Sequence, residues 1–192
     1  MKSQPNNNRP KRWFFSTFDL LLVALMAALG IATKPIIVPL THILTGPLLI
    51  PGGAVAGGIY MMWMVLGGCL VKKKGAATMT GLVQGFIVLV TGVYGTHGAA
   101  SLVTYTLPGL AIDFVWLIMR SSGEKSLACF FAGIAANLTG TFLSNLLFFK
   151  LPAIPLVISL TSAALSGGLG GLIAYGIMKR INSIRYSEGK TP

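Results

Sequence analysis

A single carboxylate, Asp113, interrupts an otherwise apolar stretch of this chain. In apolar surroundings an ionised carboxylate is costly unless it is paired or hydrated, so such residues face the interior of a bundle. Asp113 is therefore a candidate cation site, proton site or buried hydrogen-bonding anchor. Little else could carry out a reaction, since the whole chain has four acidic residues, two histidines and two cysteines. No HExxH or GxSxG motif occurs. Gly123-Glu124-Lys125-Ser126 ends like a phosphate loop but lacks the preceding glycine and the Gly-Lys pair. Gly167-Gly168-Leu169-Gly170-Gly171 fails the dinucleotide-binding spacing and suits close helix packing. Cys69 and Cys129 have no metal-ligand spacing and read as buried free thiols. Asn137-Leu138-Thr139 matches a glycosylation sequon but falls inside an apolar run. Neither enzyme activity nor a bound cofactor or metal is expected.

Binding chemistry is better represented. His42, Tyr94, His97, Thr104 and Tyr105 precede Asp113, and Asn137, Thr141, Ser144 and Asn145 follow it. Asn137, Thr141 and Ser144 are spaced by four and three, which puts them near one helix face. Aromatics with a few hydrogen-bonding groups suit a small, partly aromatic ligand. Ala24, Ala28 and Ala32 recur every four residues, a spacing that lets another helix approach closely. That helix could belong to the same bundle or to a partner.

The elements that must position these groups are membrane spans. The chain is 54% hydrophobic and 10% charged, with a mean hydropathy of +0.77. Soluble domains carry about 25% charged residues. Apolar segments of bilayer-crossing length are expected at about 18–33, 53–71, 75–90, 99–119, 127–149 and 156–178. The first lacks a small-residue cleavage site and reads as a span rather than a removed signal. Residues 35–51 are apolar but hold Pro35, Pro39, Pro47 and Pro51, so a long Pro-rich outer loop is expected there. Pro108-Gly109 predicts a kink in the fourth span.

The expected architecture is an all-α, six-transmembrane-helix bundle: a basic tail at 1–17, a membrane domain at 18–180 and a second tail at 181–192. Of the 15 Lys and Arg residues, all but Lys34 and Lys150 fall on the side of the termini. That asymmetry predicts cytoplasmic termini. It also explains the net charge of +11 without nucleic acid, because the basic residues cluster at the ends of apolar segments.

The chain resembles the substrate-binding S components of energy-coupling factor (ECF) vitamin transporters, most of all the YkoE-type group associated with thiamine and its hydroxymethylpyrimidine precursor. The likeness runs over about residues 18–180. It is carried by Thr41-His42 with Leu44-Thr45-Gly46-Pro47, by Lys74-Gly75-Ala76-Ala77, and by Pro108-Gly109-Leu110-Ala111-Ile112-Asp113. The resemblance implies a multi-pass protein of a prokaryotic plasma membrane that captures a vitamin at the outer face. It would deliver the vitamin with a transmembrane coupling protein and two cytoplasmic ATPases. Under it, Ala24, Ala28 and Ala32 would meet the coupling protein, 35–51 would be a lid, and Asp113 could balance a cationic thiazolium. His42, Tyr94, His97, Tyr105, Asn137, Thr141 and Asn145 complete the expected ligand set. The third helix departs from the YkoE-type pattern, with Gly81 and Val88 at acidic positions and Gln84 as its strongly polar mid-helix group. Fewer carboxylates weaken the case for a cationic ligand and leave a neutral pyrimidine or another small vitamin open. The competing class is a stand-alone carrier or channel, for which inverted repeats would be expected; 18–92 and 99–180 show no such similarity.

Overall fold

In a computed structural model, residues 15–48, 50–92, 98–121 and 123–188 are described. They form α1 (Thr17–Thr45), α2 (Gly52–Val71), α3 (Ala76–Thr91), α4 (Ala100–Ile118), α5 (Ser126–Ser144) and α6 (Ala153–Glu188). A 3-10 turn, Gly46–Leu48, follows α1, and a π-helical turn, Asn145–Phe149, closes α5. By length and composition, α1, α2, α4, α5 and α6 are long and apolar enough to cross a membrane. At 16 residues, α3 is a shorter apolar helix.

The centre of the bundle is α2. It carries no charged residue and is apolar on all sides, and 72% of its apolar stretch is buried, against 28–39% for the other four long helices. Around it α1 packs on α3, α3 on α4, α4 on α5 and α5 on α6, while α6 returns to α2. A helix apolar all round belongs in such a position, whereas its neighbours keep one apolar face for lipid.

Glycines set how closely these helices approach. A Cβ at Gly133 would overlap the Gly167 carbonyl, and one at Gly170 would overlap the Gly58 carbonyl. The 167–171 glycine run thus lets α6 lie against α5 on one side and α2 on the other, as its spacing suggested. Cys69 and Cys129 are buried free thiols with their Sγ atoms 3.5 Å apart. Asn137 is fully buried, so the sequon is not a surface acceptor.

The first outer connection differs from the expected Pro-rich loop. Instead of ending near Thr33, α1 runs unbroken through Pro35 and Pro39 to Thr45. The two prolines lie one turn apart and both are exposed, so their missing donors and ring bulk fall on one outward face. Hydroxyls brace the same stretch. Thr33 Oγ1 donates to the Leu29 carbonyl at 2.6 Å, and Thr41 Oγ1 lies 2.9–3.0 Å from the carbonyls of Ile37, Val38 and Gly52. The connection proper shrinks to residues 46–51. The fourth helix holds Pro108 inside its length, within the expected span, while one further boundary moves: α6 continues to Glu188, into the expected tail.

Candidate functional site

Where α2 begins and α5 ends, a small cavity of about 50 Å³ is lined by Gly53, Tyr60, Thr141, Ser144, Asn145 and Ser159, among others. It joins three of the residues expected from sequence or their neighbours to α2 and α6. Tyr60 donates its hydroxyl to the Gly53 carbonyl at 2.8 Å, which fixes the ring along the cavity wall. Asn145 shapes the rim: its Oδ1 accepts from the Leu151 amide and its carbonyl from the Lys150 amide, both at 2.8 Å. Lys150 takes a left-handed conformation (φ 48°) to complete that turn.

One turn before Thr141, Asn137 cross-braces three helices. Its Nδ2 donates to the Ala54 carbonyl of α2 at 3.0 Å and the Ala163 carbonyl of α6 at 2.9 Å. Its Oδ1 has no hydrogen-bond partner and faces Gly57, where a Cβ would overlap it. Asn137 therefore supports the cavity from beneath rather than lining it.

Lys34 enters the interior from α1. Its ammonium lies 4.6 Å from the Tyr60 ring centre and 4.0 Å from that of Tyr105. Stacking against two aromatic faces is a recognised way to hold a desolvated cation. Tyr60 is shared, with its hydroxyl end on the cavity and its ring under the ammonium. Tyr105 is buried with Ile31 and Val88, so α1, α3 and α4 converge here. Gln84 of α3 fills the space over Gly30, is 3% exposed, and has no hydrogen-bond partner for Nε2.

The other expected residues fall elsewhere. His42 is exposed near the mouth, where its Nδ1 accepts from the Gly52 amide at 3.4 Å and ties α1 to the start of α2. Tyr94 and His97 lie outside the described residues. Asp113 does not join this group. It is eight residues beyond Tyr105, about 12 Å along the axis, at the opposite end of α4. There its Oδ2 accepts from the Thr78 amide at 2.8 Å and the Thr78 hydroxyl at 2.5 Å. It serves as the missing cap of α3, whose own N-cap is Gly75. Of the readings open for Asp113, the geometry supports the hydrogen-bonding anchor.

Sequence reasoning passed over Lys34 and Tyr60. Lys34 was assigned to a span end because Pro35 follows it. The apolar run continuing to Leu40 was the signal that the helix goes on and carries the lysine inside it. Ala24, Ala28 and Ala32 are all exposed along α1, beside exposed Leu21 and Leu25. Among the described residues, no helix covers this row.

The fold is similar to that of a solved structure described as "Crystal structure of an S-component of ECF transporter", with a TM-score of 0.73. The two share 17% identity, over 91% of this chain and 88% of that one. The chain belongs to the family described as "ABC-type cobalt transport system, permease component", which it matches over residues 18–139. No curated protein matches it.

Proposed function

We propose that this protein is the substrate-capturing S component of an ECF-type importer. It binds a small vitamin at the outer end of the bundle and has no enzyme activity of its own. The observation that carries this reading is the pairing of an S-component fold with an unpartnered small-residue face on α1. A transport subunit needs both a ligand site and a surface for its motor. Here the two occupy different parts of the molecule. The chain crosses a prokaryotic plasma membrane six times, with α3 as the short span and both termini cytoplasmic. A span below the hydrocarbon thickness is accommodated by local thinning and by packing against α1 and α4. The partners are a transmembrane coupling protein, which meets Ala24, Ala28 and Ala32, and two ATPases.

The family description names cobalt, but the cavity lining offers hydroxyls, amides and aromatics, with the Lys34 ammonium behind Tyr60 and, among the described residues, the lone imidazole of His42 near the mouth, its Nδ1 taken by the Gly52 amide. A divalent transition metal favours imidazole, carboxylate or thiolate. The set found here suits an organic ring with donor and acceptor edges. We read the ligand as thiamine or hydroxymethylpyrimidine, the neutral pyrimidine before the cation. A positive charge about 8 Å from the Lys34 ammonium would cost about 2 kcal/mol at an effective dielectric near 20, which exceeds a tenfold loss in affinity. The cavity, at about 50 Å³, has room for a few waters, so a vitamin-sized ligand requires it to widen. The short connection at 46–51 and the extension of α1 beyond Pro35 are the elements placed to move.

Uptake tests the assignment. Proteoliposomes holding this chain with a coupling protein and both ATPases should accumulate the labelled pyrimidine only with ATP inside the motor compartment. Accumulation by the chain alone would point to a stand-alone carrier instead.

A further inference from the structure

A second and larger cavity, about 500 Å³, opens at the other end of the bundle between the α2–α3 turn and the end of α4. Lys73, Lys74, Arg120 and Asp113 stand around it. Two of these charges are committed. Lys73 pairs with Asp19 at 2.5 Å, and the Asp113 carboxylate is held by Thr78. Lys74 and Arg120 are exposed and, among the described residues, form no ion pair. The buried Ser121 hydroxyl, also in the lining, has no hydrogen-bond partner among the described residues. The mouth thus presents two uncommitted cations and a spare hydroxyl.

Its wall has the opposite character. Leu110, Phe114 and Leu117 line it and are 47%, 62% and 60% exposed. Their spacing of four and three draws one stripe about 10 Å long up the α4 surface. A site with a cationic mouth and an apolar stripe running towards mid-membrane matches a molecule with an anionic head and a hydrocarbon tail. Basic pockets between helices at the cytoplasmic interface are the usual setting for anionic lipid headgroups.

We propose that this cavity holds one anionic phospholipid, with its phosphate between Lys74 and Arg120 and an acyl chain along Leu110, Phe114 and Leu117. The charge complementarity commits the site to a lipid rather than to an apolar helix of a partner, which would leave both cations buried without counter-charge. A bound lipid would also brace the α2–α3 turn against the end of α4, where Asp113 already caps α3.

Trp116 lines the same cavity and reports on it. With Trp13→Phe and Trp63→Phe introduced, Trp116 is the sole tryptophan of the full chain. Its fluorescence is followed in phosphatidylcholine vesicles containing either bromine-labelled phosphatidylglycerol or the same fraction of bromine-labelled phosphatidylcholine. Excess quenching by the anionic lipid is expected. The paired change Lys74→Gln with Arg120→Gln should abolish the excess while helical circular dichroism is retained. Lys179→Gln with Arg180→Gln, equally basic positions in the C-terminal third of α6 but outside this cavity, should leave it intact. Soluble glycerol phosphate should not compete. Equal quenching by the two lipids would overturn the proposal. So would survival of the excess in the Lys74/Arg120 variant, its loss in the Lys179/Arg180 variant, or displacement by glycerol phosphate.

Discussion

Two charged side chains inside the bundle, Lys34 and Asp113, serve different ends of it. Asp113 accepts two hydrogen bonds from Thr78 and completes the α3 terminus, so its removal should weaken the fold rather than the ligand site. Asp113→Ala should cost about 1 kcal/mol, as loss of a helix cap does, seen as earlier thermal unfolding in detergent with vitamin affinity unchanged. Lys34 should govern selectivity. Removing the ammonium in Lys34→Met relieves the repulsion of a cationic ligand, so thiamine should gain about tenfold in affinity relative to hydroxymethylpyrimidine in competition binding. An unchanged ratio would show that Lys34 does not sense the ligand. The sequence singled out Asp113 because one acid in an apolar run stands alone. What it could not show was the partner, since Thr78 is 35 residues away and only the packing of α3 on α4 joins them. Lys34 was misplaced for the opposite reason: the following proline outweighed the apolar run on both sides.

At the scale of elements, the glycine run of α6 and the alanine row of α1 were both legible, because small residues at helical spacing have one steric meaning. Their uses differ. Gly167 sits where α5 and α6 touch backbone to backbone, so Gly167→Leu should destabilise the bundle by roughly 1–3 kcal/mol or more, as overpacking does. Size-exclusion and thermal-melt profiles would show it. The alanine row is exposed among the described residues, so Ala28→Trp should leave melting and vitamin binding unchanged. It should prevent co-purification with the coupling protein and abolish ATP-driven uptake. Loss of ligand binding in that variant would place the alanine face in the ligand site instead. The proline-rich extension of α1 was not legible. Two prolines one turn apart read as helix breakers, yet on an outward face and braced by Thr33 and Thr41 they are accommodated.

For the molecule as a whole, hydropathy alone marked the membrane class and all six helices to within a few residues at most ends. The central place of α2 follows from its lack of any polar face. The cavity at the start of α2 is assembled from residues as far apart in sequence as Pro51 and Ser159. Such convergence lies in the packing, and no local pattern encodes it. The proposed division of labour, with ligand at one end, motor on the α1 face and lipid at the other end, rests on the claim that this chain binds its vitamin unaided. Calorimetric titration of the purified chain, without coupling protein or ATPases, tests that claim most directly, using hydroxymethylpyrimidine, thiamine, riboflavin, biotin and Co²⁺. The account predicts tight one-to-one binding of the pyrimidine, weaker binding of thiamine and none of the metal ion. Binding of Co²⁺ alone, or of nothing in that set by a folded protein, would contradict it.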